Sequence, residues 1–369
     1  MTLNILSPCI YKTMTYRKGS RKGSLFAEIL EIVPDTDWCS TWDASRTIML
    51  RGTSKKVRDI IDKIRPPTDV ILNGNMDIKC HDIPRKIIRL ATTCHISRLV
   101  LPCDMRDRMN LQLEGWKEVF EHCKNLPNLN LYNNTLDATD IGSLVGVLEG
   151  CVSLNLRFNN IGAEGTEQLV KVLTQCTYLN ITNNYICRAG VESIENCKTL
   201  TTLTSLNLGY NQFGTINIDK ILLQNTGLTH LDLSNNYINT LSYDRIRLQS
   251  RQYALTDFDI SRNNIGVEGV SSLAGLLTQC PTLTDLNLAY NTLGEEGGLI
   301  LAGVIGRCTA LSALYLVGNM IGETGIESIA VALSSYSSLT KLPLYGNGIG
   351  EDSKKKITEL LGDSVRIMF

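Results

Sequence analysis

Leu203-Thr204-Ser205-Leu206-Asn207-Leu208-Gly209-Tyr210-Asn211-Gln212-Phe213-Gly214 is a run of alternating apolar side chains closed by an asparagine and a turn. The alternation puts Leu206 and Leu208 on one face of a short strand. An asparagine where the chain leaves that strand can hydrogen-bond backbone groups in the turn. The same phrase returns at Leu283 to Gly294. Sliding the chain against itself aligns Asn134, Asn159, Asn184, Asn211, Asn236, Asn263, Asn291, Asn319 and Asn347, with separations of 25, 25, 27, 25, 27, 28, 28 and 28. A period of this size marks a solenoid. A helical segment follows each turn; in Val267 to Leu277 the side chains Leu273, Leu276 and Leu277 share one face. One unit cannot bury its own apolar faces, whereas stacked units bury them against each other. The expected fold is a curved α/β solenoid, a horseshoe with a parallel sheet on the concave face and helices on the convex face.

The pattern weakens in both directions from this centre. Cys151 and Cys176 take the first apolar slot of two shorter units, and Thr240 to Ala254 departs from the helical pattern. Upstream, Thr47 to Leu50, Val70 to Leu72 and Arg98 to Leu101 read as strands of degenerate repeats. The stretch Leu25 to Val33, with Trp38 and Trp42 after it, reads as a cap. Residues 1–24 are expected to be a basic flexible arm, 25–125 an N-terminal cap with degenerate repeats, and 126–369 regular repeats with a C-terminal cap. In that last cap, Ser353 to Leu361 is expected as a helix and Val365 to Phe369 as an edge strand.

Composition narrows the function. The formal net charge is -1, against a nucleic-acid-binding domain except through the basic arm. No apolar run reaches the length of a membrane-spanning helix. Twelve cysteines include no C-x-x-C pair, so zinc and dithiol redox motifs are unsupported. The first residues lack the basic-then-apolar order of a secretory signal, which predicts reduced thiols in an intracellular, cytoplasmic chain. The acid-free first 27 residues leave a mitochondrial transit signal as the alternative compartment. Basic residues precede Ser20 and Ser24 in tandem, as at basophilic kinase sites, and phosphate on either would cancel much of the arm's charge.

The units with Leu-x-x-Leu-x-Leu-x-x-Asn-x-Ile-Gly, an acidic-Gly pair and a helix ending in cysteine resemble the ribonuclease-inhibitor-like class of leucine-rich repeats. That class includes ribonuclease inhibitors, the sensor arrays of NOD-like receptors and Ran GTPase-activating proteins. The resemblance covers Leu126 to Phe369, about two thirds of the chain. It implies a horseshoe that holds another macromolecule; it also implies two alternatives, a regulator of a small GTPase and an inhibitor of a basic enzyme. Against the GTPase alternative, the acidic tail typical of Ran activators is not found after these repeats. Arg157 is the one inward-facing arginine that alternative would use.

Candidate contact residues lie on the inner face. Asp232 and Asp259 occupy one slot of neighbouring strands, and Asp257 and Asp285 the slot two residues earlier, with His230 and Arg262 nearby. Carboxylates stacked this closely repel, which points to a basic segment of a partner protein; the alternative is a solvated acidic face partly neutralised by Arg262. Tyr132, Phe158 and Tyr178 form one aromatic group, and Tyr290, Tyr315 and Tyr345 a second; exposed aromatics are common interface anchors. Asparagine in the strand slot is also the class consensus. No nucleotide-binding or hydrolase motif occurs. No enzyme activity, cofactor or metal is expected, and the oligomeric state is left open. His81, His95 and His122, with Trp116, are expected to be structural.

Overall fold

The computed structural model of the chain describes residues 126–242, 252–336 and 338–369, together with Phe120 and five upstream strands. It divides into two compact units, residues 1–159 and 160–369.

In the first unit, β1 (Thr2–Ser7) and β2 (Ile10–Thr15) pair antiparallel. The strands β3 (Thr47–Leu50), β4 (Thr68–Leu72), β5 (Ile96–Val100), β6 (Asn128–Asn130) and β7 (Ser153–Asn155) pair parallel in sequence order. The upstream segments read as degenerate repeats therefore do extend a sheet. Helix α1 (Ala138–Leu148) is capped by Asp137, whose carboxylate accepts from the Asp140 amide at 3.0 Å while the Asp140 carboxylate accepts from the Asp137 amide. The expected cap, with Ser20, Ser24, the three tryptophans, His81, His95 and His122, lies outside the described residues.

The second unit is an unclosed parallel sheet backed by helices. Its strands are β8 (Tyr178–Asn180), β9 (Ser205–Asn207), β11 (His230–Asp232), β13 (Asp257–Asp259), β14 (Asp285–Asn287), β15 (Ala313–Tyr315), β16 (Lys341–Pro343) and β17 (Arg366–Met368). The helices are α2 (Gly162–Val172), α3 (Cys187–Glu195), α4 (Ile218–Gln224), α5 (Gly266–Leu277), α6 (Gly294–Ile305), α7 (Gly322–Leu333) and α8 (Glu351–Leu361). Strands stack about 4.8 Å apart and helices roughly 8–10 Å apart, so such a stack bends toward its sheet. The outer wall is irregular around α4: β10 (Thr215–Asn217), just before it, and β12 (Thr240–Ser242), one repeat later, pair as a small parallel sheet.

Leu206, Leu208, Leu231, Leu233, Leu286 and Leu288 are buried between sheet and helices. Each fully buried leucine contributes about 1.5–3 kcal/mol relative to an exposed one. Cys151, Cys176, Cys280 and Cys308 are free thiols and buried. Burial, with a smaller contribution from neighbouring Cys308, pushes the Cys280 thiol up to about 12; burial pushes Cys308 up to about 11.

The register asparagines join one repeat to the next. Asn211 Oδ1 accepts from the Asn184 amide at 2.7 Å, and its Nδ2 donates to the carbonyls of Ile181 and Leu208, each at 2.9 Å. Asn236 repeats this toward Asn211 and Leu208, and Asn347 toward Asn319 and Leu316. Each of these asparagines thus serves the repeat before its own. The turn follows the same direction: the backbone amides of Gly214, Gly294 and Gly322 donate to the carbonyls of Asn236, Asn319 and Asn347, each in the next repeat.

This turn uses left-handed backbone. The residue before the register asparagine is left-handed in Phe158, Tyr210, Arg262 and Tyr290, with φ of 58, 60, 54 and 57°. Three residues after the asparagine, glycine takes the conformation at Gly162, Gly214, Gly266, Gly294 and Gly322. Cys187 holds that position in its own repeat at φ 52°, where a Cβ is strained.

Candidate interaction surface on the sheet face

Residues flanking the buried central residue of each strand point away from the core. In the second unit this builds two rows across the sheet. The first runs His230, Asp257, Asp285, Ala313, Lys341, Arg366, each in register with the next. His230 Nε2 lies 3.2 Å from Asp257 Oδ2, which also accepts from Thr256 Oγ1 at 2.6 Å. Asp285 is half-buried, and its side chain makes no hydrogen bond or ion pair among the described residues.

The second row holds Asp232, Asp259, Asn287 and Tyr315. Its two aspartates do backbone work. Asp232 Oδ1 accepts from the Ser234 amide at 2.9 Å and Asp259 Oδ1 from the Ser261 amide at 2.8 Å. Asn180 and Asn287 make the same bond to Thr182 and Ala289. This oxygen is common to Asn and Asp, which explains why both fit the slot. The second oxygen of Asp259 accepts from Asn287 Nδ2 at 2.8 Å.

Arg262 is on the rim, its guanidinium 4.4 Å above the Tyr290 ring, and it makes no ion pair with the aspartates among the described residues. The other face of Tyr290 covers Gly318; a Cβ there would meet the ring at 2.6 Å. Gly318 in turn bonds through its amide to the Tyr345 carbonyl at 2.9 Å, so exposed Tyr290 and Tyr345 sit two repeats apart with a glycine between. Tyr315 lies on the sheet face, where Lys341 Nζ sits 4.7 Å from its ring centroid and donates to its hydroxyl at 3.0 Å. The other aromatic group divides between the units. Tyr132 and Phe158 belong to the first, with Arg157 stacked 4.5 Å over Phe158. Half-buried Tyr178 belongs to the second, within 3.5 Å of Asn180 Nδ2.

Two features escaped the sequence. Lys341 and Arg366 continue the row that holds Asp257 and Asp285. Tyr185, Tyr210 and Tyr237 stand exposed around the register asparagines of three successive repeats, all on left-handed backbone. Counting one residue either side of each asparagine would have found these tyrosines. Among the described residues, no group of three His, Cys, Asp or Glu is placed to hold a metal ion. No helix among them is long and apolar enough to cross a membrane.

Family models described as Leucine Rich repeat match residues 152–170, 199–216, 255–274 and 279–302, and a further Leucine Rich Repeat model matches 227–247. The chain is a leucine-rich-repeat protein. Among solved structures, an internalin from Listeria monocytogenes strain 4b F2365 covers 87% of this chain and 86% of its own, at TM-score 0.52 and 20% identity, a likeness of fold. No curated protein matches the chain. Domains of this repeat family generally mediate protein–protein interaction and are typically non-enzymatic.

Proposed function

We propose that this protein is a non-enzymatic scaffold, adaptor or fixed subunit that holds a partner protein on the sheet face of its second unit. The supporting observation is the registered stacking of Asp257 on Asp285. Adjacent like charges cost stability, and of the two only Asp257 has a neighbour in His230, whose Nε2 lies 3.2 Å from it. A cationic segment of a partner would offset both. The 28-residue spacing of the later repeats supports placement in the ribonuclease-inhibitor-like class.

The test is affinity capture from native extract with the tagged full chain, in low and in high salt. The comparison is a variant carrying Asp232→Asn, Asp257→Asn, Asp259→Asn and Asp285→Asn. Asparagine keeps the oxygen that Ser234 and Ser261 need, so the fold is preserved. A partner retained by the parent and weakened at least tenfold in the variant, with a shallower salt dependence, is the expected result. Equal retention by both would refute this surface.

A further inference from the structure

The first row is bipolar. Along five successive strands it reads Asp257, Asp285, Ala313, Lys341, Arg366: two carboxylates, a buried small residue, two cations. Its order is the reverse of what intramolecular pairing favours. Alternated signs would let each strand neutralise its neighbour, whereas here each charge has a like charge beside it in register. The internal offsets are partial. Asp257 has His230, and Lys341 leans on the Tyr315 ring and hydroxyl. Asp285 and exposed Arg366 have no ion pair or hydrogen bond from their side chains among the described residues. Ala313 separates the halves, so opposite signs on the row stand two strand spacings apart, about 10 Å, too far for direct contact.

We infer that this face takes an extended segment of a partner protein carrying charges of both signs in order, its cations over Asp257 and Asp285 and its anions over Lys341 and Arg366. The inference rests on the interaction reading above and refines its basic segment into a bipolar one. The centres of the two charge pairs are three strand spacings apart, about 14 Å. An extended chain rises about 3.3 Å per residue, so the segment's cationic and anionic pairs are centred about four residues apart. Alternate residues of such a chain share a face, which lets all four charges address the sheet at once. Tyr315, on the row beside Ala313, offers the segment's middle an aromatic surface where the charges stop.

The test uses labelled peptides and the full chain at low ionic strength. Arg-Ser-Arg-Ser-Glu-Ser-Glu has the split order, Arg-Ser-Glu-Ser-Arg-Ser-Glu the same composition alternated, and Arg-Ser-Arg-Ser-Arg-Ser-Arg a single sign. The split peptide is expected to bind at least tenfold more tightly than the alternated one. The double variant Asp257→Lys with Asp285→Lys should lose it at least tenfold. Adding Lys341→Asp and Arg366→Asp to that variant should recover it, because the reversed row accepts the same peptide run in the opposite direction. Denaturation midpoints of each variant, read in parallel, separate lost binding from lost fold. Equal binding of split and alternated peptides, failure of the fourfold variant to recover, or no binding of any peptide would overturn the inference. If the single-sign peptide binds most tightly and changes at Lys341 and Arg366 have no effect, the bipolar segment is wrong while a basic partner still stands. Loss of capture from extract would instead remove the reading beneath it.

Discussion

Replacing Asn236 with alanine removes the link between two repeats, and its cost can be worked bond by bond. The side chain is fully buried. Its Oδ1 accepts from the Asn211 amide at 2.6 Å, and its Nδ2 donates to the carbonyls of Leu208 at 2.9 Å, Leu233 at 3.0 Å and Ser234 at 3.1 Å. Truncation does not orphan the first two carbonyls. The Leu208 carbonyl keeps the bond from Asn211 Nδ2 and the Leu233 carbonyl that from Asn263 Nδ2. The Asn211 N–H loses the partner that Oδ1 supplied. A buried donor left unmade costs about 1–3 kcal/mol, and each lost bond to a carbonyl about 0.5–1.5 kcal/mol. The sum centres on about 5 kcal/mol, a large share of the roughly 5–15 kcal/mol that holds a typical domain folded. Urea denaturation followed by circular dichroism measures it, with Asn264→Ala as the comparison. Asn264 is exposed and its described side-chain bond is to the Thr292 hydroxyl, so its loss should stay within about 0.5 kcal/mol. A cost below about 1 kcal/mol for Asn236→Ala would refute the linking role of the asparagine.

Cys187→Gly should stabilise the second unit by about 0.5–1 kcal/mol, since relief of left-handed strain exceeds the added freedom of the unfolded chain; a lower urea midpoint would contradict it. Gly318→Ala should cost about 2 kcal/mol, because the new Cβ adds left-handed strain and displaces the Tyr290 ring from its seat under Arg262; an unchanged midpoint would show that the ring moves without penalty. Alkylation of the native protein at pH 8 should modify exposed Cys187 and spare Cys280 and Cys308, read by peptide mapping. Both buried thiols have folded values raised above the ordinary 9.0, so their contribution to stability is complete below pH 9 and falls as pH climbs toward 11 and 12. Replacing both with alanine should flatten that decline, and an unaltered slope would count against it.

The leucine spacing made the repeat and its asparagine legible, because burial of one strand face and closure of one turn demand the same residues each time. The asparagine's direction of service was not legible, since a single repeat does not show which neighbour its side chain reaches. Asp232 and Asp259 illustrate the limit at the surface. Their charge suggested contact with a partner, while their geometry gives them a bond that asparagine makes equally well. Arg262 looked like a counter-charge because it follows Asp259 closely in sequence, yet its left-handed backbone turns it to the rim and onto Tyr290. Arg366 was missed because its strand follows the last recognisable motif, so registration on Lys341 emerges from stacking rather than from pattern. The strands Thr215–Asn217 and Thr240–Ser242 replace outer-wall helix where the helical pattern is short or broken.

The one-way service of the asparagines gives the stack a time order as well as a space order. A chain synthesised from its N-terminus presents the Asn184 turn with its amide unanswered until Asn211 has been made, and the Asn211 turn waits likewise for Asn236. Each repeat is therefore finished by its successor, and the growing end is always the unfinished one. Removing repeats from the C-terminal side re-creates that unfinished end. Removing them from the N-terminal side of the second unit instead leaves an asparagine whose amide has lost its earlier carbonyl but can turn to water.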